Sequence, residues 1–270
     1  MSANPALAVL RQEAHVSVSS VGCYLRCPEQ YFHRYIARTP PSHKSSALAF
    51  GSAIHTALAL FYTQLMHSRP EPSPEELAAH FSDAWTRELG SPLPVLFDKA
   101  DSADSLRDKG VALVNLFHAE APRPHRVIGV EEPFSIEVYD PTTGEVFDER
   151  LVGAVDAIAQ DDLGQYHLLE HKTGARKRSF DHDLQGAVYT YVAPRIGLGD
   201  NVSVTYQLLT KTKTPALHVE AVSFTDADRH DAQRTIAGVL TAVRAGAFYP
   251  RREQAWVCQG CPYAHACVAI

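Results

Sequence analysis

Apolar residues in the first 120 positions recur every three or four residues, the spacing of one helix face. Further along they fall into short runs bounded by turn residues, the mark of strands. Residues 17–38 read as helix with a break near Pro28, a residue suited to a first helical turn; Tyr31, Phe32, Tyr35 and Ile36 share one face. A second helix is expected over 52–67, with Ile54, Leu58, Phe61 and Leu65 on one stripe. Ser73-Pro74-Glu75-Glu76 is a capping box opening a third, which carries Leu77, Phe81, Trp85 and Leu89. A fourth covers 105–119. Strands are expected at 127–130, 134–138, 151–158 and 166–172, with turn chemistry at 140–144 and 161–164. Residues 181–193 look helical, 202–209 and 217–224 look like strands, and 226–245 form a helix capped by Thr225. The prediction is an α/β fold read as one domain over 1–270: a helical region over about 17–120, a sheet core over about 125–225, and a helix with a cysteine-rich tail over 226–270.

Length and composition fit that picture. With 270 residues, 45% of them hydrophobic, the chain can bury a sizeable core. It holds no run of eighteen apolar residues, so no membrane span is expected. The N-terminus lacks a basic segment and a small-residue cleavage site, which places the protein in the cytoplasm. The net charge of −6 runs against general binding to a polyanion such as nucleic acid. Carboxylates are, however, what a divalent-metal site needs, and basic residues do gather locally at Arg176-Lys177-Arg178, at Lys211 with Lys213, and at Arg251-Arg252. Each of these groups, taken alone, reads first as solvated surface.

The chemistry concentrates in Gly153-Ala154-Val155-Asp156 followed by Leu168-Leu169-Glu170-His171-Lys172. A hairpin of these two strands brings Asp156 near Glu170. Glu170 and Lys172, two apart, share a strand face, and His171 points to the other. Charges gathered there must pair or bind metal. Two carboxylates can hold Mg²⁺ or Mn²⁺ through oxygen, and an amine beside them can orient a water and stabilise developing negative charge. A salt-bridged surface hairpin accounts for these three residues about equally well. Three further residues extend the pattern: His55 on the helix beginning at Phe50, and Gln185 with Tyr189, one turn apart on the helix after the hairpin.

In that order, the sequence resembles the PD-(D/E)xK nuclease superfamily, in the branch shared by the RecB and AddB nuclease domains and the Cas4 proteins. The resemblance runs from Ser17-Val18-Ser19-Ser20 and Cys27-Pro28 through Gly51-Ser52-Ala53-Ile54-His55, Gly153–Asp156, Glu170–Gly174 and Gln185–Tyr189 to Cys258-Gln259-Gly260-Cys261 and Cys267. It implies a restriction-endonuclease-like core, a central mixed sheet flanked by helices. It further implies His55, Asp156 and Glu170 as metal ligands together with the main-chain carbonyl of His171. Lys172 would be the catalytic lysine, with Gln185 and Tyr189 positioning DNA. One departure is that the branch often has Asp-Tyr-Lys where this chain has Glu170-His171-Lys172.

Five cysteines sit unevenly, at 23, 27, 258, 261 and 267. The last three have metal-site spacing, and Cys27 can supply a fourth thiolate. Spacing leaves zinc and an iron–sulfur cluster open, and His265 permits a local Cys₃His zinc knuckle. The resemblance implies a [4Fe–4S] cluster on Cys27, Cys258, Cys261 and Cys267. Cys23, one helical turn before Cys27, is left over: it reads first as a buried small residue and second as a substitute ligand. The implied activity is that of a metal-dependent DNA exonuclease acting on single-stranded ends, in repair, recombination or CRISPR adaptation, beside a helicase or integrase partner. A non-catalytic DNA-binding scaffold is the alternative. No phosphate-binding G-x-x-x-x-G-K-[ST] loop is present, so the chain is not itself the helicase.

Overall fold

The structure, a computed structural model, describes residues 4–267. A short helix α1 (Pro5–Leu10) and strand β1 (His15–Val16) open the described chain. The break predicted near Pro28 falls at Cys27, whose backbone is extended (φ −160°, ψ 107°) because a residue before proline is pushed out of the helical region. It separates α2 (Val18–Arg26) from α3 (Pro28–Tyr31), which runs on into a π-helical turn (Phe32–Ile36). After β2 (Lys44–Ser45) comes α4 (Ser46–Met66), six residues longer at its start than the apolar stripe indicated, because Ser45 caps it. By length and composition α4 could cross a membrane. Here it is a core helix: Phe50, Ile54, Leu58 and Phe61 are fully buried in the fold. The capping box at Ser73 opens α5 (Pro74–Leu89) as predicted, and β3 (Val95–Leu96) and α6 (Ala103–Glu120) follow.

The two strands expected at 127–130 and 134–138 are one, β4 (Arg126–Tyr139). Pro133 does not interrupt it because, among the described residues, β4 pairs only with β5 (Val146–Gln160) and its outer edge needs no N–H donor. β5 and β6 (Tyr166–Gly174) form the predicted hairpin. α7 (Leu184–Val192), extended by a 3₁₀ turn (Ala193–Ile196), carries the chain across to β7 (Val202–Thr210), parallel to β6. β8 (Ala216–Val222) returns antiparallel. α8 (Asp226–Arg244), with its Thr225 capping box, and α9 (Ala255–Cys258) complete the elements.

The main sheet is mixed and six-stranded, in order β1-β5-β6-β7-β8 with β4 on the other edge of β5. Long β5 is shared: its first half pairs with β1 and its second half with β6. One face buries Tyr24, Val188, Tyr206, Ile236 and Leu240 beneath α2, α7 and α8; the other buries Ile54, Phe81, Phe117, Ala157 and Leu209 beneath α4, α5 and α6. The implied core, a central mixed sheet flanked by helices, is therefore present.

Contact between α7 and the sheet is close at Gly186, where an added Cβ would lie 2.2 Å from the Tyr206 hydroxyl and 2.4 Å from the Phe224 ring. Gly186→Ala is expected to lower stability by about 1–3 kcal/mol through overpacking. Displacement of α7 would also move the neighbouring Gln185. A melting curve as stable as wild type would show that the contact relaxes freely.

Candidate active site

Regular pairing of β5 with β6 ends at Ala157↔Leu169. Continued by one step, the register sets Asp156 opposite Glu170, but here the strands part, and the Asp156 side chain fills the gap. Its Oδ2 accepts a 2.7 Å hydrogen bond from the His171 backbone N–H. Its Oδ1 lies 3.4 Å from His55 Nδ1, on α4. Glu170, 2% exposed, uses both carboxylate oxygens: Oε1 meets Lys172 Nζ at 2.6 Å, and Oε2 accepts from the Tyr189 hydroxyl at 2.9 Å. Lys172 Nζ also donates to Gln185 Oε1 at 2.6 Å, and Gln185 Nε2 donates to the Tyr189 hydroxyl at 2.7 Å. The structure thus brings together His55, Asp156, Glu170, Lys172, Gln185 and Tyr189, from α4, β5, β6 and α7.

Burial and charge set the protonation of this group. Burial, reinforced by the Asp156 charge, pushes the Glu170 carboxyl up to about 7 against the pull of Lys172. Burial works to lower the His55 pKa, but the Asp156 carboxylate outweighs it and raises it to about 9. Asp156 is held well below the usual carboxylate range: burial opposes this, while His55 and the His171 N–H favour the charged form. Asp156 therefore persists as an anion beside an imidazolium, and Glu170 stands near its titration point.

The His171 side chain lies on the opposite strand face, as alternation requires, 3% exposed and stacked on Tyr62 at 5.2 Å. Burial depresses its pKa to about 4, so the ring stays neutral. Among the described residues neither ring nitrogen makes a full hydrogen bond, although the Gln207 side chain lies beside the ring and pulls its pKa up against burial.

One acid at this site escaped the sequence reading. Glu131 lies in β4 between Val130↔Ala157 and Glu132↔Val155, which sets it opposite Asp156. Ligand atoms of His55, Glu131 and Asp156 all fall within 4.8 Å of one another, close enough to share a metal ion. The signal was present as two adjacent acids, Glu131-Glu132, interrupting an apolar strand before Pro133. Read as a gap between two strands, it lost its meaning.

The basic groups divide. Exposed Arg176, Lys177 and Arg178 follow β6 directly, and Lys211 and Lys213 follow β7. Parallel pairing of Gly174 with Thr210, and the 2.9 Å bond from the Lys211 N–H to the Gly174 carbonyl, bring both loops out side by side, just beyond Lys172. No acid pairs with these five cations among the described residues. Arg251, by contrast, is tied to Glu253, and Arg252 lines a separate cavity near the chain ends.

That cavity is lined by Cys27, Cys258, Cys261 and Cys267 together with Gln30, His33 and Tyr263. The tail reaches it by folding onto the N-terminal helices, with the Glu29 N–H donating to the Tyr249 carbonyl and the Ser42 N–H to that of Pro262. Gln30 Nε2 lies 3.8 Å from Cys261 Sγ. Cys23 is buried away from the cavity lining, its sulfur 3.9 Å from Gln30 Oε1. His265 is exposed and is not among the lining residues.

Among solved structures, a crystal structure from Eubacterium rectale described as a candidate exonuclease aligns over 93% of this chain and 88% of its own, with a TM-score of 0.54 and 14% identity. At that identity the likeness speaks for the fold. A second, SSO0001, aligns over 93% of each chain at 14% identity, with a TM-score of 0.39. Comparison with curated proteins gave no match. The sequence itself matches a family model over residues 15–268, a span that takes in every residue of the site and all five cysteines: this chain belongs to the PD-(D/E)XK nuclease superfamily.

Proposed function

We propose that the protein is a divalent-metal-dependent deoxyribonuclease that removes nucleotides from single-stranded DNA ends. The observation that carries this reading is the pairing of Glu170 with Lys172 at 2.6 Å, where β6 parts from Asp156. The donor set fits Mg²⁺ or Mn²⁺: carboxylate oxygens, one imidazole and the neighbouring His171 carbonyl. His55, Asp156 and Glu170 would hold the ion. A divalent cation bound there makes water a better nucleophile and offsets charge on the phosphate. Lys172 orients the attacking water and stabilises charge on the phosphoryl oxygens. Gln185 fixes the lysine, and with Tyr189 it borders the position of the cleaved phosphate. The five cations on the β6 and β7 loops would receive neighbouring phosphates, a local basic rim on an acidic protein.

We assign Cys27, Cys258, Cys261 and Cys267 to a [4Fe–4S] cluster. Four thiols facing one cavity suit such a cluster, and its effect would be to staple α2 and α3 to the tail. Protein prepared without oxygen should be brown, and Cys261→Ala should lose iron and thermal stability. A colourless, zinc-loaded wild type would replace iron with zinc in this assignment.

The test of the whole reading is cleavage of end-labelled single-stranded and duplex DNA with Mn²⁺ or Mg²⁺. Metal-dependent shortening of the single strand from its end is expected. A wild type inert on every DNA with either metal would favour a non-catalytic scaffold.

A further inference from the structure

Glu131 is the acid of the site whose role is unassigned, and its backbone is unusual. It has φ +50° in the middle of a strand, a left-handed conformation that costs a non-glycine residue of order 1–3 kcal/mol. Side-chain alternation inverts at this point in both strands. Val130 packs with the second core and Phe134 with the first, although four residues apart. In β5, Leu151 and Val155 belong to the first core, and Ala157 and Ala159 to the second. The β4–β5 ribbon therefore turns over at Glu131 and Asp156. Asn4 helps to hold the turn: while its Oδ1 caps α1, its Nδ2 donates to the Glu131 carbonyl. Such overdetermined strain persists where it positions something.

The carboxylates also differ in which oxygens are engaged. Both oxygens of Glu170 are occupied by Lys172 and Tyr189, and Asp156 Oδ2 by the His171 N–H. Asp156 Oδ1, the His55 ring and the Glu131 carboxylate face one another, and the last has no hydrogen-bond donor among the described residues. Ligand atoms at about 2.1 Å from a shared ion stand at most about 4.2 Å apart, so the 4.8 Å cluster needs only a small closure.

We propose that Glu131 is a direct ligand of the divalent cation, so that His55, Glu131 and Asp156 form the cradle that first captures it while Glu170 remains paired with Lys172. This rests on the metal-dependent reading above. The strained backbone at Glu131 then serves to aim its carboxylate, and stability at this residue is traded for cation affinity.

Mn²⁺ binding to the intact protein by titration calorimetry, read beside melting temperature, tests this. Glu131→Gln, which keeps size and removes charge, should weaken Mn²⁺ at least tenfold. Glu131→Gly should weaken it as much while melting at or above the wild-type temperature, because glycine accepts φ +50° without strain. A purely structural role for the side chain would instead lower the melting temperature and leave affinity alone. Wild-type affinity in both variants would overturn the proposal while leaving the nuclease reading intact. Failure of wild type to bind Mn²⁺ would remove the metal-dependent reading itself, and Glu131's role with it.

Discussion

Cleavage by Lys172→Ala should fall by about a hundredfold to a thousandfold in kcat, the usual loss on removing one group that stabilises transition-state charge. Lys172 is the ammonium group at the site, and two short contacts aim it, to Glu170 at 2.6 Å and to Gln185 at 2.6 Å. In the proposed reading substrate binding also draws on the basic loops, so KM should move less than kcat. The fold should survive. Glu170 already sits near pKa 7 and, without its partner, takes up a proton and stays neutral in its buried place. Equal melting temperatures with lost turnover would separate catalysis from structure; turnover equal to wild type would remove Lys172 from the mechanism. Asp156→Ala should also abolish cleavage, with a greater loss of stability, because it leaves the His171 N–H without its acceptor and His55 without its counter-ion.

The second large effect is on metal affinity as pH changes. In the metal-free protein His55 titrates at about 9, above its usual 6.5, so at pH 7 the ring is protonated. A ligand imidazole must be neutral, so uptake of the cation expels a proton. Mn²⁺ affinity should therefore rise about tenfold per pH unit from 7 to 9 and then level off. Below pH 7 the dependence steepens if Glu170 joins the ion, because its carboxyl is then protonated too. Without metal the sign reverses. A pKa raised by folding contributes stability that is fully present below pH 6.5 and is lost as pH rises through 9. Affinity that stays flat between pH 6 and 9 would exclude His55 as a ligand.

Much of the fold was legible because it depends on local rules. Periodicity located α4, α5, α6 and α8, a capping box marked Ser73 and a cap Thr225, and Pro28 foretold the break at Cys27. The hairpin carrying Asp156, Glu170 and Lys172 could be read from alternation and one turn. What failed was whatever a partner strand decides. Residues 131–133 read as a gap between two strands, yet β4 continues through them because its outer edge pairs with no strand among the described residues. Two-residue β1 has no periodicity to read; it exists because β5 offers an open edge beside β6.

The same division runs through the site. Sequence by itself determined which side chains could do the chemistry and in what order they come, from His55 to Tyr189, because residue type and strand or helix spacing are local properties. It also set cysteines at both chain ends, and the structure brings four of them to one cavity. Only the tertiary structure decided how those groups share their bonds: that Glu170 is held by Lys172 and Tyr189, that Asp156 fills the parting of β5 and β6, and that Glu131 stands across from it. Those outcomes depend on register between strands and on a left-handed residue in mid-strand. Both are fixed by pairing energies between distant segments, which a local pattern does not carry.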